Sequence, residues 1–291
     1  MLSVLEVVKK TSEFFAAKGV ENPRTQAEHI IGHSLGLKRM QLYLQFERLL
    51  SEKELETLRG LVRRRAQREP LAYVLGWTEF HGLRLKTDRR ALIPRHETEE
   101  LVEKTIARLK ARETPPLRLL DLGTGSGCIA LALATAFPEA VVEAVEASAE
   151  ALALARENAG SAGLEARLSF VQSRWFDGLD GTGAYDAIVA NPPYLTEREL
   201  TEAEPEVRLH EPKSALVAPE AGMADLKHII EGAASRLAPG GLLALETGID
   251  QHAALNEFIG SQGFSSVVSE KDLSARDRFL FATRGGSALP G

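Results

Sequence analysis

Cysteine occurs once among the 291 residues, as Cys128, so no disulfide can form within the chain and a reducing compartment is expected. Metal-ligand spacing is missing too. His29 and His33 stand one helical turn apart, but no carboxylate or cysteine joins them in pattern; they read as surface or cap residues, and no metal is expected. No continuous apolar run reaches the ~18 residues that a membrane span requires. Glu6, Lys9 and Lys10 break the apolar positions at the start of the chain, so a soluble, cytoplasmic protein without membrane contact is expected. Internal repeats and low-complexity tracts are also absent.

What is present is a chain with 44% hydrophobic residues, long enough for one large core and a smaller module. The formal charge of -6 is unevenly spread: residues 1–90 hold 17 Lys+Arg against 11 Asp+Glu, and residues 91–291 hold 18 against 30. That is +6 against -12. A basic module on an acidic one points to an N-terminal part that meets an anionic partner, or one bound to RNA. The run Arg63-Arg64-Arg65 by itself reads as a solvated helix face.

Residues 3–69 read as helices. Leu2, Leu5, Val8 and Phe15 recur at helical spacing, Asn22-Pro23 interrupts, and a second segment covers Ala27 to Leu35. Ser51 and Glu54 form a capping-box pattern at the start of a long helix that ends before Pro70. From Tyr73 the pattern changes: Tyr73 to Trp77 and Leu83 to Lys86, with glycines at 76 and 82, read as a β-hairpin. Thr98 reads as the cap of a helix over Glu99 to Lys110. Beyond Leu117, strands (117–122, 141–146, 168–172, 185–190, 242–246, 265–270, 278–283) alternate with helices (127–137, 149–162, 223–237, 251–259). This predicts an α/β fold, a doubly wound, mostly parallel seven-stranded Rossmann-like sheet. The division that follows is a helical domain over 1–72, a β-hairpin linker over 73–90, a catalytic domain over 91–284 and a disordered tail over 285–291.

The chemistry lies at strand ends. Asp121-Leu122-Gly123-Thr124-Gly125-Ser126-Gly127 is a glycine-rich turn, but Cys128 stands where the third glycine of a dinucleotide fingerprint should fall, which argues against NAD. Glycines without Cβ atoms let backbone pack against a nucleoside and expose N–H groups at a helix start. Glu146, ending the next strand, suits the two hydroxyls of a ribose. About seventy residues beyond the turn, Asn191-Pro192-Pro193-Tyr194 follows an apolar strand. Each residue before a proline is held extended, so the Asn191 side-chain oxygen and the Pro192 carbonyl are expected to accept the two N–H donors of a planar amide or aromatic amine, with Tyr194 stacked on the group. An amide nitrogen is a poor nucleophile, so the partner must carry an activated methyl group, as S-adenosylmethionine does. No Ser/His/Asp or Cys/His set is evident, and none is needed when alignment and desolvation suffice.

With these motifs in place, the chain resembles the protein-glutamine N5-methyltransferases that modify peptide chain release factors, the PrmC (HemK) family. The likeness runs through Gly76 to Leu83, Leu92 to Glu99, Asp121 to Gly127, Asn191 to Tyr194, and Glu211-Pro212 with Ala215-Leu216. The resemblance implies that Asp121, Gly123, Thr124, Gly125, Ser126, Gly127, Glu146, Trp175 and Asn191 bind S-adenosylmethionine, leaving S-adenosylhomocysteine. It implies that Asn191, Pro192, Pro193 and Tyr194 receive the glutamine of a Gly-Gly-Gln loop, with Asn191 and Pro192 catalytic and Arg95 ordering the entrance. The helical domain would recognise the release factor, free or on the ribosome, and the enzyme is expected as a monomer with no direct nucleic-acid contact. Three departures stand out: His96 in place of a proline, Arg174 in place of the acid before Trp175, and no glycine between Asp272 and Arg278. Two rival functions stand beside this reading. One is an adenine-N6 methyltransferase on DNA or RNA, which the -12 of residues 91–291 opposes; the other is a non-catalytic translation-factor adaptor, which the intact Asn191 and glycines oppose.

Overall fold

A computed structural model of the chain describes residues 2–181 and 184–286. Gly285 and Gly286 carry no regular secondary structure, and the rest of the expected tail, 287–291, lies outside the described residues. The chain divides into two compact units, Met1–Trp77 with Ala203–His210, and Thr78–Glu202 with Glu211–Gly291.

The first unit holds α1 (Val4–Ala17), α2 (Pro23–Leu35), α3 (Arg39–Leu44), α4 (Glu52–Ala66) and α5 (Leu71–Leu75). Both α1 and α4 open on capping boxes, Ser3 with Glu6 and Ser51 with Glu54, which satisfy amides that the helix itself leaves unpaired. Phe15, Ile30, Ile31, Leu42 and Leu50 are fully buried between the helices. Two expectations are corrected here. Tyr73 to Leu75 is helical, not extended: the Val74 amide donates to the Pro70 carbonyl at 3.0 Å, and Val74 joins the helical core. The aromatic and β-branched content read as strand, and burial against the other helices overrode it. The arginine run is not a solvated face either. Only Arg63 is exposed, while Arg64 pairs with Glu69 at 2.7 Å and the buried Arg65 pairs with Glu206 at 2.6 Å. Glu206 arrives from a segment remote in sequence, and no local pattern announces it.

In the second unit a hairpin pairs β1 (Trp77–Phe80) with β2 (Leu83–Lys86) around His81-Gly82, both at positive φ; Trp77 itself belongs to the first unit. Next comes α6 (His96–Lys110). Its cap is Arg95, so Thr98 lies inside the first turn, not at the N-cap; its hydroxyl serves a distant carboxylate described below. The remaining strands are β3 (Arg118–Leu122), β4 (Val141–Glu146), β5 (Leu168–Gln172), β6 (Tyr185–Ala190), β7 (Leu237–Glu246), β8 (Phe264–Lys271) and β9 (Asp277–Arg284). The remaining helices are α7 (Cys128–Ala136), α8 (Ala149–Ala162), α9 (Glu197–Glu202), α10 (Pro205–His210), α11 (Met223–Arg236) and α12 (His252–Ser261). Of these, α10 falls in the first unit. The short helices α9 and α10 were not anticipated; their six-residue lengths carry too little periodicity to read.

The expected doubly wound sheet is present, in the order β5-β4-β3-β6-β7-β9-β8, parallel from β5 to β7 with β9 antiparallel to both β7 and β8. Side chains alternate between its faces. Leu119, Ala187, Val189 and Ala244 pack with α6 and α7, whereas Leu120, Leu122, Ile188 and Leu245 pack with α11 and α12. The chain leaves β3 outward through β4 and β5, then returns to place β6 on the other side of β3. A crevice opens at such a reversal, at the carboxyl ends of the strands.

Candidate active site

Register decides what meets in that crevice. Leu122 lies opposite Val145 on one side and Ala190 on the other, and Ala190 lies opposite Leu245. The residues that follow, Glu146, Gly123, Asn191 and Glu246, therefore form one row across four strands, at the ~4.8 Å spacing of a sheet. Above the row is a cavity of about 580 Å³, within the range of small-molecule sites.

Gly123 and Thr124 fold the turn over the end of β4, both amides donating to the Val145 carbonyl at 2.9 Å. Gly123, Gly125 and Gly127 have φ of 74°, 55° and 87°, a region L residues enter at a cost. Without a Cβ on Gly123, the Trp175 indole lies against the turn. Asp121 is fully buried beneath. One of its oxygens accepts from the Thr124 hydroxyl at 2.6 Å and the Ala130 amide at 3.0 Å, tying the turn to the start of α7. Burial, only partly offset by those two bonds, pushes its carboxyl up to about 7. Burial likewise pushes the Cys128 thiol up to about 12. Glu146 accepts from the Gly125 amide on one oxygen and the Ser148 amide on the other, each at 2.9 Å, with its carboxylate on the cavity wall.

At another edge of the cavity, Asp225 of α11 accepts from the Trp175 indole N–H and from Arg174, each at 3.0 Å and both on Oδ1. A carboxylate thus reaches this place from α11, although position 174 is an arginine. Arg95 also lines the cavity and pairs with the buried Glu211 at 2.7 Å; Glu211 accepts the Ile93 amide as well, pinning the segment between the hairpin and α6.

The elbow has a facing side and a hidden side. Asn191 and Pro193 line the cavity, whereas Pro192 and Tyr194 do not. Among the described residues no backbone hydrogen bond reaches the Pro192 carbonyl. Tyr194 turns inward, donating to Glu246 Oε1 at 3.0 Å, so its expected stacking on a substrate is not what its position provides. Burial and the neighbouring Glu246 hold the Tyr194 phenol well above its ordinary pKa. Glu246 is 1% exposed and also accepts the Thr98 hydroxyl, on Oε2 at 2.7 Å, while Asn191 Nδ2 donates to Thr98 Oγ1 at 2.9 Å. Burial raises the Glu246 pKa against the pull of those bonds. Asp121 and Gly127 likewise lie off the cavity wall, which Gly123 to Ser126 form directly. Thr98, Glu246, Asp225 and Glu211 are among the polar residues whose place here sequence reasoning missed. Glu246 did carry a signal, an acid closing an apolar strand, the same one that singled out Glu146.

Among the described residues no cluster of histidine, cysteine, aspartate and glutamate is arranged to hold a metal ion, and no helix is long and apolar enough to cross a membrane.

Residues 6–76 match the PrmC N-terminal domain family and residues 104–218 the methyltransferase small domain family. The chain is 42% identical over 289 residues to a release factor glutamine methyltransferase of Chlorobaculum tepidum, covering 96% of each chain. It is 41% identical over 258 residues to the protein of that name from Salmonella typhimurium, covering 89% of this chain and 91% of the other. Among solved structures, the 16S rRNA N2 G1207 methyltransferase of T. thermophilus, in complex with AdoMet and guanosine, aligns with a TM-score of 0.52 at 20% identity, over 72% of this chain and 49% of that one. That likeness concerns the fold. At 41–42% identity over most of its length to such relatives, the chain belongs to the release factor glutamine methyltransferase family.

Proposed function

We propose that the chain transfers a methyl group from S-adenosylmethionine to the side-chain nitrogen of a glutamine in peptide chain release factors, the glutamine of their Gly-Gly-Gln loop. The observation that carries this is the row Glu146, Gly123, Asn191, which sets a nucleoside-type cradle beside a hydrogen-bond acceptor on one cavity wall.

The residues present fit the donor. Glu146 keeps lone pairs for two ribose hydroxyls, the Gly123 to Gly125 backbone allows close approach, and Asp225, on the cavity wall with Trp175 and Arg174 both on Oδ1, leaves Oδ2 to accept from an exocyclic amine. S-adenosylmethionine, when bound, supplies a methyl group on a positively charged sulfur. The Asn191 side-chain oxygen accepts one N–H of the glutamine amide; the Pro192 carbonyl, off the cavity wall but without a backbone donor among the described residues, accepts the other. These bonds stop rotation of the amide and draw electron density onto its nitrogen. No group is required as a dedicated base, since the surplus proton leaves to water. The N-terminal unit, with its positive balance, is the part that recognises the release factor.

The test is incubation with labelled S-adenosylmethionine and either a release factor or a DNA duplex, repeated with Asn191→Ala, with the labelled residue identified by mass spectrometry. Label is expected on a release-factor glutamine and is expected to drop about 100-fold or more in the variant. Label on the nucleic acid, or an unaffected variant, refutes the proposal.

A further inference from the structure

An asparagine amide presents an oxygen on one side and an NH2 on the other, nearly equal in size, so something must decide which faces the substrate. Here that decision comes from behind. The Thr98 hydroxyl has one proton, and Glu246 Oε2 takes it at 2.7 Å. Its lone pairs can then only accept, and the group within reach is Asn191 Nδ2, at 2.9 Å. The nitrogen is drawn inward and the oxygen is left facing the cavity. Thr98 is 3% exposed and Glu246 1%, so water does not compete for these bonds.

We propose that Thr98 and Glu246 are positioning residues that set the polarity of the Asn191 amide, and so select a substrate that brings N–H donors. This rests on the methyl-transfer reading above. Glu246 faces Thr98 and Glu97 from α6, Tyr194 from the elbow and Arg278 from β9. The Tyr194 hydroxyl occupies its second oxygen, and the Arg278 guanidinium lies 5.4 Å from the Tyr194 ring centroid. The carboxylate is therefore held as an acceptor on both oxygens, and the chain Glu246, Thr98, Asn191 runs in one direction. Without the Thr98 hydroxyl the amide loses the inward acceptor it has here, and its NH2 can turn to meet the NH2 of the substrate.

The experiment compares Thr98→Val, which keeps shape and loses the hydroxyl, with Thr98→Ser, which keeps the hydroxyl. Turnover, KM for the release factor, affinity for S-adenosylhomocysteine and thermal stability are measured for the full chain. Thr98→Val is expected to lower kcat about 10- to 100-fold, the scale of losing one oriented polar group, while product affinity stays within about twofold. Thr98→Ser is expected to recover most of the turnover. If Thr98→Val does not fold, Thr98→Ala takes its place in the comparison. A hydroxyl-free variant with wild-type kcat, or a serine variant as impaired as the valine one, overturns the inference. Failure of the unaltered protein to methylate a release factor would instead overturn the functional reading.

Discussion

Gly222 is the position where a single methyl group should test how the elbow is held. It caps α11 at a φ of +77°, and a Cβ built on it would lie 2.4 Å from the Pro193 carbonyl oxygen and 2.9 Å from the Tyr194 Cα. Real Cβ contacts do not fall below 3.0 Å, so in Gly222→Ala the two backbones must part by about 0.6 Å, at the ~1–3 kcal/mol that overpacking costs. Left-handed strain adds about 1–2 kcal/mol. Gly240→Ala is the matched control: its φ is +75°, with nothing within 4 Å of the added atom, so it carries the strain alone. Urea unfolding should place Gly222→Ala about 1–3 kcal/mol below Gly240→Ala. Because Pro193 moves with Asn191, and a ~1 Å misplacement costs about 100-fold in rate, single-turnover methyl transfer should fall about tenfold or more in Gly222→Ala and stay near wild type in Gly240→Ala. Equal stability and equal rates for the two variants would refute the reasoning.

Two further outcomes concern buried charge. The Asp121 carboxyl, raised from 3.8 to about 7, binds its proton more tightly folded than unfolded, so its contribution to stability is full below about pH 4 and is lost as pH rises towards 7. Urea unfolding of the donor-free protein should therefore show Asp121→Asn gaining on wild type between about pH 4 and 8, by on the order of 4 kcal/mol; a pH-independent difference would contradict this. Glu206 behaves oppositely: burial alone would raise its pKa, but the bonds from Arg68 and Arg65 outweigh burial and hold it below the ordinary carboxylate value. Its stabilisation is present at neutral pH and is lost as pH falls through that lowered value. Glu206→Ala, which leaves the buried Arg65 without its carboxylate, should cost about 3 kcal/mol in thermal unfolding, against under ~0.5 kcal/mol for Glu202→Ala, whose exposed partner is Arg198. Equal losses would show that burial of the pair does not matter.

The strands β4, β5 and β6 and the helix α8 fall where their patterns put them, because strands and helices that alternate at a regular spacing mark their own places along the chain. The helix Leu71–Leu75 shows the limit: its five residues suit either period, and the neighbouring helices chose. Thr98 shows another. Local chemistry made it a cap, but a carboxylate 148 residues away claims its hydroxyl.

The sequence by itself determined the α/β alternation, the glycine turn, the acid at the end of β4 and the elbow after β6, since each depends on neighbours along the chain. Tertiary structure alone decided that Glu146, Gly123, Asn191 and Glu246 share a row, that Tyr194 faces inward and that Thr98 orients Asn191. The reason is physical: strand register and burial are set by the whole packed sheet, and a hydrogen bond between distant residues leaves no periodic trace in the sequence.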